Sequence, residues 1–204
     1  MTTPKENPLR LYHKEESGEL WLGDCLELMR TMPDKCIDLV LTDPPYPDYY
    51  VEEYKYNPEP IKFLDKFKCR QLIFWTAKMD FLMDYTAIHI WDKKVGAGSW
   101  YERIFERNGG IEFKVYRDYL INSTVAASFT RDTFTGHPSQ KPLNLIKKLI
   151  VEYTKEGDLV FDPFLGSGTT SRACKDLNRK FIGCEISEKY CEIAKKRLEQ
   201  EVLF

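Results

Sequence analysis

Short apolar runs alternate along this chain with stretches whose apolar residues recur every three to four positions. Ile37–Thr42, Leu159–Phe161 and Lys180–Cys184 have the length and content of strands buried on both faces. Gln71–Trp75, Ile88–Trp91 and the alternating Ile111–Tyr116 predict further strands, and Arg10–His13 with Glu19–Leu22 predict a hairpin or strand pair at a sheet edge. Leu26–Met32, stopped by Pro33, reads as a helix, as do Ile61–Phe67, Phe81–Tyr85 and the weakly patterned Tyr101–Glu106. Two helices are plainer. Leu145, Ile146, Leu149, Ile150 and Tyr153 share one face of a helix that opens near Pro142 and ends before Gly157. Tyr190, Ile193, Ala194, Arg197 and Leu198 share a face of Ser187–Glu199. Residues 1–9 read as a loose arm, Pro47–Pro60 as a loop carrying Tyr49, Tyr50, Tyr54 and Tyr56, Lys94–Ser99 as a glycine-containing loop, and Arg117–Gly136 as irregular. Strands alternating with helices predict an α/β sheet covered on both faces.

Composition narrows the class. A chain of 204 residues with 43% hydrophobic content is long enough for one such domain, spanning residues 1–204, and is not disordered. No apolar stretch approaches the ~20 residues of a membrane span, and no secretory segment is legible near Met1. Cys25, Cys36, Cys69, Cys174, Cys184 and Cys191 form no Cys-x-x-Cys pair, which argues against zinc and for buried thiols in a reducing cytoplasm. A net charge of −2 excludes a generic polyanion binder but leaves room for a local basic face.

Candidate chemistry gathers at two strand ends. After Leu159–Phe161, Asp162-Pro163 stops the strand, Gly166 and Gly168 allow a sharp turn and a close ligand approach, and Thr169-Thr170-Ser171 open a helix. This strand, glycine loop and helix form the usual mononucleotide crevice of an open α/β sheet, although a tight turn without a ligand spells the same pattern. It has neither a P-loop ending nor a third glycine, since Ser171 stands there. Glu185, at the end of the next strand and 19 positions after Gly166, has the spacing of a ribose-binding acid; the alternative is a solvated residue before the last helix.

Asp43-Pro44-Pro45-Tyr46 ends the Ile37–Thr42 strand. The prolines fix the backbone, so the Pro44 carbonyl and the Asp43 carboxylate offer two acceptors beside the Tyr46 ring, a set suited to an exocyclic amine on a planar heterocycle. A proline turn with a capping acid and a packing ring is the plainer reading of the same residues.

Together these motifs resemble the amino-group DNA methyltransferases that use S-adenosylmethionine. Asp43–Tyr46 is similar to the family's catalytic tetrapeptide, Asp162–Thr170 to its cofactor loop, and His137-Pro138-Ser139-Gln140-Lys141-Pro142 to the element preceding that loop. Gly23-Asp24 completes the set, in the permuted order usually called beta. The resemblance, over roughly residues 11–198, implies a Rossmann-like methyltransferase sheet, mostly parallel with one antiparallel strand and helices on both faces. It implies Asp43, Pro44, Pro45 and Tyr46 as catalytic. Asp162, Phe164, Gly166, Ser167 and Gly168 would line the cofactor, Glu185 would hold its ribose and Asp24 its adenine amine, and Ser139, Gln140, Lys141 and Thr169 would lie near its methionine end.

The implied substrate is a base flipped out of double-stranded DNA. Its amine lone pair is delocalised into the ring, and hydrogen bonds to Asp43 and the Pro44 carbonyl would localise it. A tetrapeptide beginning with Asp favours N6-adenine over N4-cytosine in this resemblance. A methyltransferase of RNA or of a protein amide, or an inactive DNA-binding subunit, are further readings. Only Arg117–Gly136 stands where family members usually carry a target-recognition segment, so a homodimer or a separate specificity partner is expected. Lys93, Lys94, Arg103, Arg107, Lys114, Arg117 and Arg131 are the basic residues placed toward phosphates, with solvated surface charge interleaved with Glu102, Glu106 and Glu112 as the equal alternative.

Overall fold

Leu39 and Leu41 point to one side of strand β3 (Leu39–Thr42) and Val40 to the other, and all three are fully buried. That burial requires a cover on each face of the sheet. In the computed structural model, which describes residues 8–46, 57–93, 100–119, 135–137 and 139–200, helices supply both covers. On one face α3 (Leu143–Tyr153) and α4 (Thr169–Asp176) pack Leu145, Leu149, Ile150 and Ala173 against Leu39, Leu41, Leu72 and Val160. On the other, α1 (Cys25–Thr31) and the turn after α2 (Glu59–Phe63) pack Leu28, Met29, Leu64 and Phe67 against Val40, Ile73 and Phe161.

Among the described residues nine strands form one sheet. The others are β1 (Arg10–Glu15), β2 (Gly18–Leu22), β4 (Arg70–Trp75), β5 (Ala87–Asp92), β6 (Tyr101–Arg107), β7 (Val115–Arg117), β8 (Leu159–Asp162) and β9 (Lys180–Glu185). Their order is β1-β2-β9-β8-β3-β4-β6-β5-β7. The run from β2 through β9, β8 and β3 to β4 is parallel, and β6 lies antiparallel between β4 and β5. The expected mostly parallel sheet with a reversed strand is therefore present, and β1 adds the expected edge hairpin, antiparallel to β2.

The order fixes where a ligand can sit. From β8 the chain proceeds to β9 on one side, and from β3 it proceeds to β4 on the other. Chain direction across the sheet therefore reverses between β8 and β3, and their carboxyl ends flank the crevice where open α/β sheets bind ligands. Leu39 pairs with Val160 and Val40 with Phe161, so the Asp43 and Asp162 ends of these strands lie side by side.

Three expectations are corrected. Tyr101–Glu106 is not helical but the strand β6: Ile104 and Phe105 enter different core clusters on opposite faces. The helical reading failed because Glu102, Glu106 and Arg107 are polar yet enclosed in ion pairs, which hides the alternation. Phe81–Tyr85 forms no helix either. The nearby carbonyls of Met79, Asp80 and Asp84 accept from the side chains of Arg103, Trp75 and Arg107, so side chains rather than a helical ladder organise this segment. Of Ile111–Tyr116 only Val115 and Tyr116 join a strand, since Ile111 and Phe113 are largely exposed. Residues 1–7 of the arm, residues 47–56 of the tyrosine loop, the 94–99 loop and residues 120–134 lie outside the described residues.

Candidate active site

A cavity of about 660 Å³ opens at the β8/β3 switch point. Asp43, Pro44, Pro45 and Tyr46 wall one side of it, and Asp162, Phe164, Gly166, Ser167 and Thr169 another. Ser139, Gln140 and Lys141 close it from the segment before α3, and Asp24 and Glu185 line it from the ends of β2 and β9. The structure thus brings together every expected site residue except Gly168.

Gly168 has a different task. Its φ is +81°, and a Cβ there would lie 2.7 Å from the Ala194 Cβ of α5 (Glu188–Glu199), so its missing side chain admits the last helix. Gly166, at φ +55°, does face the cavity, where an added Cβ would meet His137 Nε2 at 3.1 Å.

Asp43 is enclosed by charge. The Tyr46 hydroxyl donates to its Oδ1 and the Lys141 ammonium to its Oδ2. Burial raises the Asp43 pKa; Lys141 and Tyr46 offset this in part while Glu102 adds to it, and the net shift is upward. Burial works against the Lys141 ammonium, but Asp43 and Glu102 outweigh it and raise its pKa. Lys141 therefore reaches the expected catalytic carboxylate directly. Tyr46 is held edge-on against Trp75 at 5.3 Å between ring centres.

Asp162 ties the two halves of the crevice. Its carboxylate accepts from Thr42 Oγ1 at 2.7 Å, from Thr170 Oγ1 at 2.7 Å and from the Phe164 amide at 3.1 Å, joining β3, β8 and α4. Burial lifts its pKa to about 6, with those donors offsetting only part of the effect. A carboxyl group raised in this way favours folding below its unfolded pKa of ~3.9 and loses that contribution as pH climbs through 6. Asp162→Asn removes the ionisation. The variant's unfolding free energy is expected to gain on the wild type by about 2 kcal/mol between pH 4 and 6.5, at ~1.4 kcal/mol per pKa unit of the shift. His137, whose pKa burial lowers to about 4, acts in the opposite sense in both proteins, so the difference between them carries the signal. Urea denaturation across this range checks it, and a constant difference would contradict it.

At the far end, β2 and β9 run in register, with Leu22 opposite Glu185, and the Gly23 amide donates to the Glu185 carbonyl at 2.9 Å. Asp24 caps α1 through its Oδ1, which accepts from the Leu26 amide at 2.9 Å. The Glu185 carboxylate accepts from the Gly166 amide at 2.9 Å and the Ser187 amide at 2.8 Å. It is thus both a wall of the cavity and a clasp for the glycine loop.

Two supporting residues went unassigned in the sequence. Arg197, buried on α5, donates to Thr169 Oγ1 at 3.0 Å and to the Ser167 carbonyl at 3.2 Å, propping the loop from beneath. Its signal was an arginine on the apolar face of an amphipathic helix. His137 is kept neutral by burial, accepts from the Ser139 amide through Nδ1 at 3.1 Å and packs on Tyr190. Gln140 Oε1 accepts from both the Thr135 amide and hydroxyl, closing the same turn.

Most of the expected phosphate contacts are committed elsewhere. Arg103 binds the Thr76 and Met79 carbonyls, and Arg107 binds the Asp84 carbonyl, Gln71 and Asp65. Lys93 pairs with Glu102 and Lys114 with Glu152. Arg117 keeps a side chain 69% exposed beside Asp92; Lys94 and Arg131 lie outside the described residues. The misreading has a simple cause, because partners distant in sequence cannot be seen in a list of basic residues.

The DNA methylase family N6_N4_Mtase matches residues 71–196, and the chain belongs to it. The match takes in the His137–Pro142 element, the glycine loop and Glu185, while Asp43–Tyr46 precedes it. Type II methyltransferase M2.DpnII of Streptococcus pneumoniae is 52% identical over 65 residues, which is 32% of this chain and 24% of that protein. The orphan methyltransferase M.BamHII of Bacillus amyloliquefaciens is 39% identical over 46% of this chain, and the chain covers 34% of its length. DNA adenine methyltransferase YhdJ of Escherichia coli is similar over a longer span, 26% identical over 87% of this chain and 81% of its own. In fold, the chain matches the PvuII cytosine-N4-specific DNA methyltransferase at a TM-score of 0.69 and 17% identity, over 93% of this chain and 89% of that one. It matches M1.HpyAVI in complex with SAM at 0.63 and 22% identity, over 90% of this chain and all of that one. Among the described residues no helix is long and apolar enough to cross a membrane.

Proposed function

We propose that this chain transfers a methyl group from S-adenosylmethionine to the exocyclic N6 amine of an adenine flipped out of double-stranded DNA. The observation that carries this reading is that Asp43 and Pro44 line one switch-point cavity together with the glycine loop. The cavity fits the cofactor. Phe164 offers an aromatic wall, and Asp24 and Glu185 put two carboxylates at one end, the chemistry that binds an adenine amine and ribose hydroxyls. When bound, the cofactor supplies an electrophilic methyl group. Asp43 accepts one hydrogen of the target amine and the Pro44 carbonyl the other, which localises the nitrogen lone pair, and Tyr46 offers its ring to the base.

The leading Asp of the tetrapeptide and the likeness to an adenine methyltransferase over 87% of the chain support adenine. N4-cytosine is the second reading, supported by the fold shared with the PvuII cytosine-N4 enzyme. A homodimer or a specificity partner fits the short stretch available for base readout. The test is mass spectrometry of nucleosides from duplex DNA incubated with the protein and cofactor. N6-methyl-deoxyadenosine is expected; N4-methyl-deoxycytidine establishes the second reading, and absence of both overturns the proposal.

A further inference from the structure

Lys141 lies between two carboxylates. Its ammonium donates to Asp43 Oδ2 and stands 3.4 Å from Glu102 Oε2, with only 9% of its side chain exposed. The other Glu102 oxygen is taken by Lys93 at 2.5 Å. Glu102 Oε2 is buried and, among the described residues, receives no hydrogen bond. The Phe74 and Trp91 rings also lie beside the ammonium, 5.2 and 5.9 Å away, and hold a cation without replacing an anion.

This arrangement opposes amine activation for as long as the ammonium holds Asp43. Asp43 receives Tyr46 on one oxygen and Lys141 on the other; lone pairs remain, but the ammonium neutralises the carboxylate and is a stronger donor than the target amine. We propose that Glu102 is a positioning residue for methyl transfer: by offering Lys141 a second, open carboxylate oxygen, it frees Asp43 Oδ2 for the target amine. The inference rests on the proposed function. The ammonium transfers its donor from Asp43 Oδ2 to Glu102 Oε2 without losing an anionic partner, while Lys93 keeps Glu102 ionised and in place. No bond to carbon is made or broken in this exchange, and every proton stays on its own nitrogen.

The charges that bear on the exchange come from five directions. Asp43 faces Tyr46 on its own turn, Lys141 before α3, Glu102 on β6 and Asp162 on β8; Glu102 also faces Lys93 after β5, and Lys141 faces His137, which is neutral. Glu102 raises the Asp43 pKa and Lys141 lowers it. Removing either charge therefore moves the acid limb of the pH–rate profile in a known direction.

Glu102→Gln keeps the shape and deletes the charge. Lys141 then has Asp43 as its one anion and holds it, so single-turnover methyl transfer at the plateau is expected to fall roughly ten- to hundredfold. DNA affinity should change little, and the acid limb should move to lower pH. Lys141→Met should move the limb to higher pH. Adding Glu102→Gln to Lys141→Met should raise the rate above that of Lys141→Met alone, because it removes a second carboxylate charge beside Asp43 that Lys141 no longer offsets. A carbon-13 carboxyl titration of the cofactor-free protein should show the Asp43 midpoint falling in Glu102→Gln. Loss of the charge alone moves the limb and the midpoint, so the reversal of sign decides: a Glu102→Gln that does not slow transfer in the wild type, or does not speed it in Lys141→Met, would overturn the inference. If Glu102→Gln does not fold alone, Lys141→Met and the double variant decide. A wild-type protein that methylates neither base overturns the proposed function and this inference with it; an active wild type with an unslowed Glu102→Gln overturns this inference alone.

Discussion

Asp43→Ala is expected to lower single-turnover methyl transfer about a thousandfold, the scale of removing one preorganised acceptor from a reacting centre. Cofactor affinity should change far less, since the acceptor acts on the amine as its geometry becomes tetrahedral. Tyr46→Ala should be milder, because stacking on the ring supports flipping and is partly replaced by packing. A duplex with a mispaired target base flips more easily and should rescue Tyr46→Ala but not Asp43→Ala. Rescue of both would mean that Asp43 acts in flipping or folding. Tyr46→Phe is informative in a further way. A role for the ring face alone leaves this variant near wild type, yet the hydroxyl donates to Asp43 Oδ1 and holds its pKa down. Its loss should slow transfer about tenfold and move the acid limb to higher pH.

Glu185→Ala should weaken S-adenosylmethionine binding roughly ten- to hundredfold, the equivalent of one charge-assisted hydrogen bond of ~1.5–3 kcal/mol. The sequence suggested a loss confined to the ligand, but the structure enlarges the consequence. The carboxylate also accepts from the Gly166 and Ser187 amides, so the alanine variant leaves two donors without it and should lose stability by ~1–3 kcal/mol as well. Glu185→Gln separates the two effects, since its amide oxygen can still accept one of these bonds while its charge is gone. Calorimetry with the cofactor, run beside thermal denaturation, reads both. Unchanged affinity in a folded variant would remove Glu185 from the cofactor site.

The strands that build the crevice were legible because each is short, apolar and stopped by a residue that cannot continue it. Asp43-Pro44 and Asp162-Pro163 mark the ends of β3 and β8 in the sequence, and the structure sets those ends next to each other. What stayed hidden depends on partners far along the chain. Glu102 and Arg107 disguised β6 as a helix because their counter-charges, Lys93, Lys141 and Asp65, come from other elements. Gly168 carried the composition of a ligand loop, but its neighbour is Ala194, 26 positions onward on a helix whose docking no local pattern specifies. The hold of Lys141 on Asp43 was invisible for the same reason, as the two are 98 positions apart.

The placement of β3 between β8 and β4 has a consequence for how the protein is made. Thr42 donates to Asp162 across 120 positions, and the Asp38 amide donates to the Leu159 carbonyl. A growing chain that has emerged only to Tyr153 can pair β3 with β4, but the opposite edge of Leu39–Thr42 has nothing to meet until β8 is synthesised. During that interval an entirely buried strand of the finished protein is an open apolar edge, the kind that recruits other chains. At ~5–20 residues per second the remaining segment through α5 takes a few seconds to appear. Solubility on overexpression should therefore respond to translation speed over residues 154–199 more than to speed over any earlier stretch of equal length.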